Sequence, residues 1–190
     1  NQLALGGRFV GIRTPTTVYS EVFVPLHGRH QADNASAALT AVEAFFAAPL
    51  ADATMREGFA EVVIPGRFEV MGRQPLVIVD GAHNPPGADV ASAVFFEDFD
   101  PAGMRYLVVG CLQGRNPGEM LGALRADEFD VVLTCTAPSP RGLPAAQLTE
   151  AAIALGCDEV IECSTVEQAC ARAIRLAGAD DAVLVTGSLY

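Results

Sequence analysis

The sequence predicts a Rossmann-like α/β fold with a mostly parallel sheet over its last two-thirds. Three observations carry this. From Gln74 onward, short β-rich runs ("PLVIVD", "RYLVVG", "FDVVLTC", "EVIEC", "DAVLVTG") alternate with helical segments at 87–99, 117–126, 144–155 and 165–177. The runs are apolar on successive residues, as strands covered on both faces are. Repeated strand–helix units give parallel sheets joined by right-handed crossovers.

The first third reads differently. Residues 3–13 and 17–24 alternate loosely, and Pro15 within Thr14–Thr16 separates them, so a β-hairpin is expected. An Ala-rich helix spans about 31–48, with Ala35, Ala38, Leu39, Val42, Phe45 and Phe46 at helical spacing, and Pro49 marks its end. A shorter helix covers about 52–60, and "IPGRFEV" turns into a strand. The expected division is therefore 1–63 and 64–190. A domain seldom opens on an exposed hairpin, so the first piece is expected to be the tail of a larger domain.

Composition narrows the function. The chain has 190 residues, 51% hydrophobic and 18% charged, enough to bury a core. Its net charge is −11, of which residues 1–60 carry −1 and the remainder −10. Such a surface repels phosphate backbones, which excludes nucleic acid as a partner. All 12 basic residues are arginine, so no P-loop, Schiff-base or carbamylated lysine lies in this sequence. Five cysteines without C-x-x-C spacing argue for buried or half-buried thiols in a reducing cytoplasm rather than zinc or disulfides. The apolar stretch 34–51 is interrupted by Ser36, Thr40 and Glu43, so it does not read as a membrane span.

Ligands of open parallel sheets gather at the carboxyl ends of strands. Four segments fall there: Asp80–Pro85, Gly110–Asn116, Thr134–Arg141 and Gly187-Ser188. Asp80 can accept from vicinal hydroxyls such as a ribose offers, and His83 can donate to a phosphate or carboxylate. Capping of the next helix by Asp80 and Asn84, with Gly81 making the turn, explains the same residues equally well. Arg67 can fork onto phosphates, or form a surface ion pair. In "LHGRHQADNASAA", His27 and His30 lack the partners a metal site needs. Asn34 can pair its amide with an adenine edge, although capping by Asp33 or Asn34 is the plainer reading. No base is apparent that would make Ser188 a nucleophile.

In order, "LHGRHQADNASAA", "IPGRFEV", "VDGAHNPPG", "PSPRGLPAAQL" and "VLVTGSLY" resemble the folylpolyglutamate synthase/dihydrofolate synthase family of the Mur ligase superfamily. The likeness covers essentially the whole chain. It implies an ATP-dependent acid–amino-acid ligase: a pterin-linked carboxylate is phosphorylated and glutamate attacks the acyl phosphate. It implies a central P-loop ATPase domain, ending in residues 1–63, and a C-terminal Rossmann-like domain. By resemblance Asn34 contacts adenine, Arg67 and His83 act catalytically at the phosphates, and Asp80 binds ribose. The P-loop and the ligands for Mg2+ are expected upstream of Asn1, so the 190 residues alone are expected to be inactive. Gly114-Arg115-Asn116 stands where the family has Asp-Lys-Asp, and Arg115 and Ser188 are expected to hold glutamate. Two alternatives remain: another Mur-type amino-acid ligase, and a stand-alone binding module without catalysis.

Overall fold

The apolar runs of the second part do form one sheet. The computed structural model describes residues 2–4 and 6–187 and divides after Pro65 into two units.

In the second unit, β4 (Glu69–Arg73) and β5 (Leu76–Val79) form an antiparallel hairpin. Then follow α3 (Pro85–Ala93), β6 (Arg105–Val109), α4 (Pro117–Ala123), β7 (Val131–Thr134), α5 (Ala145–Leu155), β8 (Val160–Glu162), α6 (Val166–Leu176) and β9 (Ala182–Thr186). The strand order is β4-β5-β9-β6-β7-β8, and every pairing but β4–β5 is parallel. β9 pairs with β5 from Leu76 opposite Ala182 and with β6 from Arg105 opposite Ala182. It is thus paired on both edges and covered on both faces, Ala182 and Leu184 packing on one side and Val183 on the other, which is why β9 is apolar up to Thr186.

The hand of the crossovers dictates the helix layers. From β5 to β8 the chain moves one way across the sheet, and its helices stay on one face. There Ala88, Ala91, Leu121, Leu148 and Ala152 pack against Ile78, Leu107, Val132 and Leu184. The return from β8 to β9 runs the other way, so α6 covers the opposite face, with Ala169 and Ala173 against Tyr106, Val108, Leu133 and Val183.

The helix expected over 87–99 starts at Pro85, capped by Asn84, and changes character at Val94. Residues Val94–Phe99 form a π-helical turn, with Asp100 N–H donating to Phe95 O at 3.1 Å. Periodicity of apolar residues does not record this change of wind, in which Phe95 and Phe96 are both buried.

The first unit is a three-stranded antiparallel sheet under helices, rather than a two-stranded hairpin. β1 (Gln2–Ala4), β2 (Gly7–Arg13) and β3 (Val18–Val24) pair in order. The run expected to be one strand breaks at Gly6, whose φ of +77° reverses the chain. Two helices follow, α1 (His30–Phe46) and α2 (Asp52–Ala60). The buried stripe of α1 is Gln31, Ala35, Leu39 and Glu43, while Val42, Phe45 and Phe46 are exposed. Asp33 and Asn34 lie inside α1 and do not cap it.

Glu43, 3% exposed, ties α1 to the sheet. Its carboxylate accepts from Thr16 Oγ1 at 2.6 Å and Tyr19 OH at 2.5 Å, and Tyr19 OH also receives Leu50 N–H at 3.0 Å. Hydroxyls of Thr14, Thr16 and Tyr19 lower the Glu43 pKa to about 2. A carboxyl depressed on folding stabilises the fold above its ordinary value and loses that contribution as pH falls toward about 2. The protection of α1 amides against hydrogen exchange, taken relative to the intrinsic rate at each pH, should therefore fall on acidification below the ordinary glutamate range. Glu43→Gln should be less protected at neutral pH and flatter in its pH response.

Candidate functional site

Parallel pairing of β5, β9, β6 and β7 brings their carboxyl ends to one edge of the second unit. At β5 the ladder continues one residue past the strand, with Asp80 N–H donating to Val185 O at 3.0 Å. The Asp80 carboxylate then joins two loops. Oδ1 accepts from Ala82 N–H at 2.9 Å and Oδ2 from Phe68 N–H at 3.0 Å. A second bond runs alongside, Gly81 N–H to Gly66 O at 2.8 Å. The "PGRF" turn and the "DGAH" turn are thus clasped together although twelve residues separate Phe68 from Asp80. Of the capping alternative, Asn84 caps α3, its Oδ1 accepting from Gly87 N–H at 2.9 Å, and Gly81 sits within the turn that Asp80 closes on Ala82, whereas Asp80 itself does not cap the helix.

Arg67 and His83 stand exposed on these clasped turns. His83 Nδ1 lies 2.9 Å from Gly81 O. A carbonyl only accepts, so Nδ1 carries the proton and Nε2 is the nitrogen turned outward. That outward nitrogen donates to an anion when the ring is an imidazolium and accepts when it is neutral.

The third wall is the end of β9. Gly187 N–H and Thr186 Oγ1 both donate to Ala82 O, at 3.0 and 3.4 Å. Gly187 has φ +118°, and a Cβ there would lie 2.0 Å from Gly110 O. Only glycine permits β9 and β6 to leave the sheet this close together. A cavity of ≈ 40 Å³ opens among Asp80, Gly110, Cys135 and Thr186, room for water rather than a nucleotide. Burial pushes the Cys111 thiol up to about 11 and the Cys135 thiol up to about 12, so both are inert protonated thiols at neutral pH.

The loops after β6 and β7 are also joined. Gln113 N–H donates to Arg141 O at 2.7 Å, Gln113 Nε2 to Gly142 O at 3.1 Å, and Leu143 N–H to Cys111 O at 2.8 Å. Arg115 and Arg141 are exposed on these two loops. Asn116 has a local duty, its Oδ1 capping α4 through Gly118 and Glu119 N–H at 3.0 and 3.4 Å. Arg141 was legible in "PSPRG" as an arginine at a strand end. What the sequence hides is the backbone pairing that sets its loop beside that of Arg115.

Arg67, Asp80 and His83 therefore share one corner of the second unit, and Arg115 lies along the same sheet edge. Asn34 belongs to the first unit, within α1, where its Nδ2 donates to Gln31 Oε1 at 3.0 Å. Ser188 lies outside the described residues. Among the described residues no three His, Cys, Asp or Glu side chains gather as a metal site, and no helix is long and apolar enough to cross a membrane.

Residues 66–189 match the Mur ligase, glutamate ligase domain family. The chain belongs to the Mur ligase family. It is 41% identical over 157 residues to the dihydrofolate synthase/folylpolyglutamate synthase of Mycobacterium tuberculosis, an alignment covering 80% of this chain and 31% of that protein. Its structure is similar to that of M. tuberculosis folylpolyglutamate synthase complexed with ADP and AMPPCP. The TM-score there is 0.91 at 36% identity, over 98% of this chain and 44% of the other. A solved bifunctional folylpolyglutamate synthase/dihydrofolate synthase with Mn, AMPPNP and L-glutamate bound gives a TM-score of 0.74 at 30% identity, over 92% and 40% of the two chains. This Mur ligase chain thus spans under half the length of the relatives it resembles.

The Gly187 contact is open to direct test. Gly187→Ala should lower the stability of the second unit by more than about 2 kcal/mol, read as a drop in its denaturant midpoint. An unchanged midpoint would show that β6 and β9 need no such approach.

Proposed function

We propose that this chain is part of an ATP-dependent ligase that joins glutamate to a pterin-linked carboxylate through an acyl phosphate. In this reading residues 1–63 end a central ATP-binding domain and 64–190 form the C-terminal ligase domain. The observation that carries it is the clasp of the Arg67 turn to the Asp80–His83 turn. It presents a guanidinium, a carboxylate and an imidazole from one sheet corner, in a family whose members are solved with adenine nucleotides.

Each residue has a role its geometry allows. Arg67 forks onto phosphate oxygens, where charge develops during transfer to the carboxylate. Asp80 keeps its bonds to Ala82 and Phe68 N–H and accepts ribose hydroxyls beside them, since a carboxylate oxygen accepts more than one hydrogen bond. His83, held through Nδ1, turns its Nε2 toward the phosphates. Asn34 presents its Oδ1 and second amide proton to the adenine edge. Arg115, with Ser188, holds a glutamate carboxylate, and Arg141 from the paired loop supplies a second guanidinium for a substrate with two carboxylates. In this reading the magnesium that screens the phosphates takes its protein ligands from residues outside this chain. The enzyme works in the cytoplasm, where ATP and folates are available.

Likeness to an enzyme solved with L-glutamate bound favours glutamate over another amino acid. In the full-length protein, Arg67→Ala should lower kcat by about 100-fold. Arg115→Ala should raise the glutamate KM about tenfold and leave the ATP KM unchanged. An unchanged glutamate KM would remove Arg115 from the substrate site. The purified 190-residue chain should give no glutamate-dependent ADP release, and turnover by it would contradict the two-domain reading.

A further inference from the structure

Arg67 sits between two residues in the left-handed region, Gly66 at φ +65° and Phe68 at φ +51°. For glycine that conformation is free. For a residue with a Cβ it is disfavoured, and it persists only where its surroundings over-determine it. The two reversals have a geometric result: Arg67 is thrown outward while Phe68 turns into the core, 3% exposed.

Three contacts hold Phe68 in place. Its N–H is taken by Asp80 Oδ2 at 3.0 Å. Its ring packs on Phe99, with centroids 5.4 Å apart and planes at 42°. Its side chain belongs to the same buried cluster as Ile78, Ala82 and Phe95. Phe99 closes the π-helical turn, whose extra residue rotates the end of the helix relative to a plain α-helix. That turn is itself pinned: Phe95 stacks on Phe129 at 5.1 Å, and Phe96 lies under the guanidinium groups of Arg125 and Arg105, at 4.4 and 5.2 Å. The π turn, Phe99 and Phe68 form a continuous packed path from the helix layer to the backbone of Arg67.

We propose that Phe68 is a positioning residue for Arg67. Its buried ring, held by Phe99, fixes the left-handed turn that aims the Arg67 guanidinium. This rests on the reading of Arg67 as a phosphate-binding residue. A flexible side chain on a mobile turn samples many directions, and misplacement of a charged group by about 1 Å costs up to about 100-fold in rate.

The test is a double-mutant cycle in the full-length protein, with ATP as varied substrate and thermal midpoint recorded alongside. Phe68→Ala should lower kcat/KM for ATP by about 10- to 100-fold. Phe68→Leu, which keeps an apolar anchor, should recover to within about threefold of the parent. Arg67→Ala/Phe68→Ala should be no slower than Arg67→Ala alone, because nothing is left to aim. Losses that multiply in the double variant, or a Phe68→Ala protein with parental kcat/KM, would overturn the positioning role while leaving Arg67 at the phosphates. An Arg67→Ala protein with parental kinetics would overturn the site reading itself. Should Phe68→Ala fail to fold, Phe99→Ala replaces it under the same criterion.

Discussion

Where β5 ends, the Asp80 carboxylate takes one N–H from its own turn and one from the turn before β4. Much of the candidate site depends on this. Backbone donors at a loop crossing need partners, and a carboxylate is an acceptor with room for several. With Asp80 in place, the Gly66 and Phe68 reversals are held, Arg67 is presented outward, and the Ala82 carbonyl is set to receive Gly187 and Thr186. The Asp80 side chain thus joins two turns 12 residues apart, and the Ala82 carbonyl beside it joins them to the end of β9, more than 100 residues on. Its structural duty and its proposed role toward ribose are compatible because each carboxylate oxygen accepts more than one hydrogen bond.

The sheet makes this economical. Fixed crossover hand sends α3, α4 and α5 over one face and α6 over the other, and it leaves every parallel strand pointing the same way. The segments that follow β5, β6 and β7, and Gly187 after β9, then meet at one edge. Each pair is stitched by backbone bonds, Gly66 to Gly81, Ala82 to Gly187 and Gln113 to Arg141. Arg67, His83, Arg115 and Arg141 are left on turns tied by backbone bonds rather than on free loops, as preorganisation of a site requires.

Much of this could be read from the residues. Successive apolar runs in β5 to β9 announce strands covered on both faces, and turn residues at their ends mark the sheet edge where ligands are expected. The misses have physical causes. The break at Gly6 and the π turn at 94–99 depend on backbone dihedrals that apolar spacing does not record. Val42, Phe45 and Phe46 share helical spacing with Leu39 but are exposed, because the sheet under α1 covers only the narrow stripe through Gln31, Ala35, Leu39 and Glu43. Asp80 was visible as a strand-end acid, yet its bond to Phe68 depends on how the β4–β5 hairpin folds back. Arg141 was in plain view, but the loop pairing that sets it near Arg115 is a tertiary feature.

The clasp itself can be measured at one atom, the Phe68 amide. In 15N-resolved hydrogen exchange of the 190-residue chain, a Phe68 N–H held by Asp80 should exchange at least tenfold more slowly than in an unstructured peptide, and Asp80→Ala should remove that protection. Exchange at the unstructured rate in the parent chain would contradict the clasp, and with it the account of how Arg67 is presented.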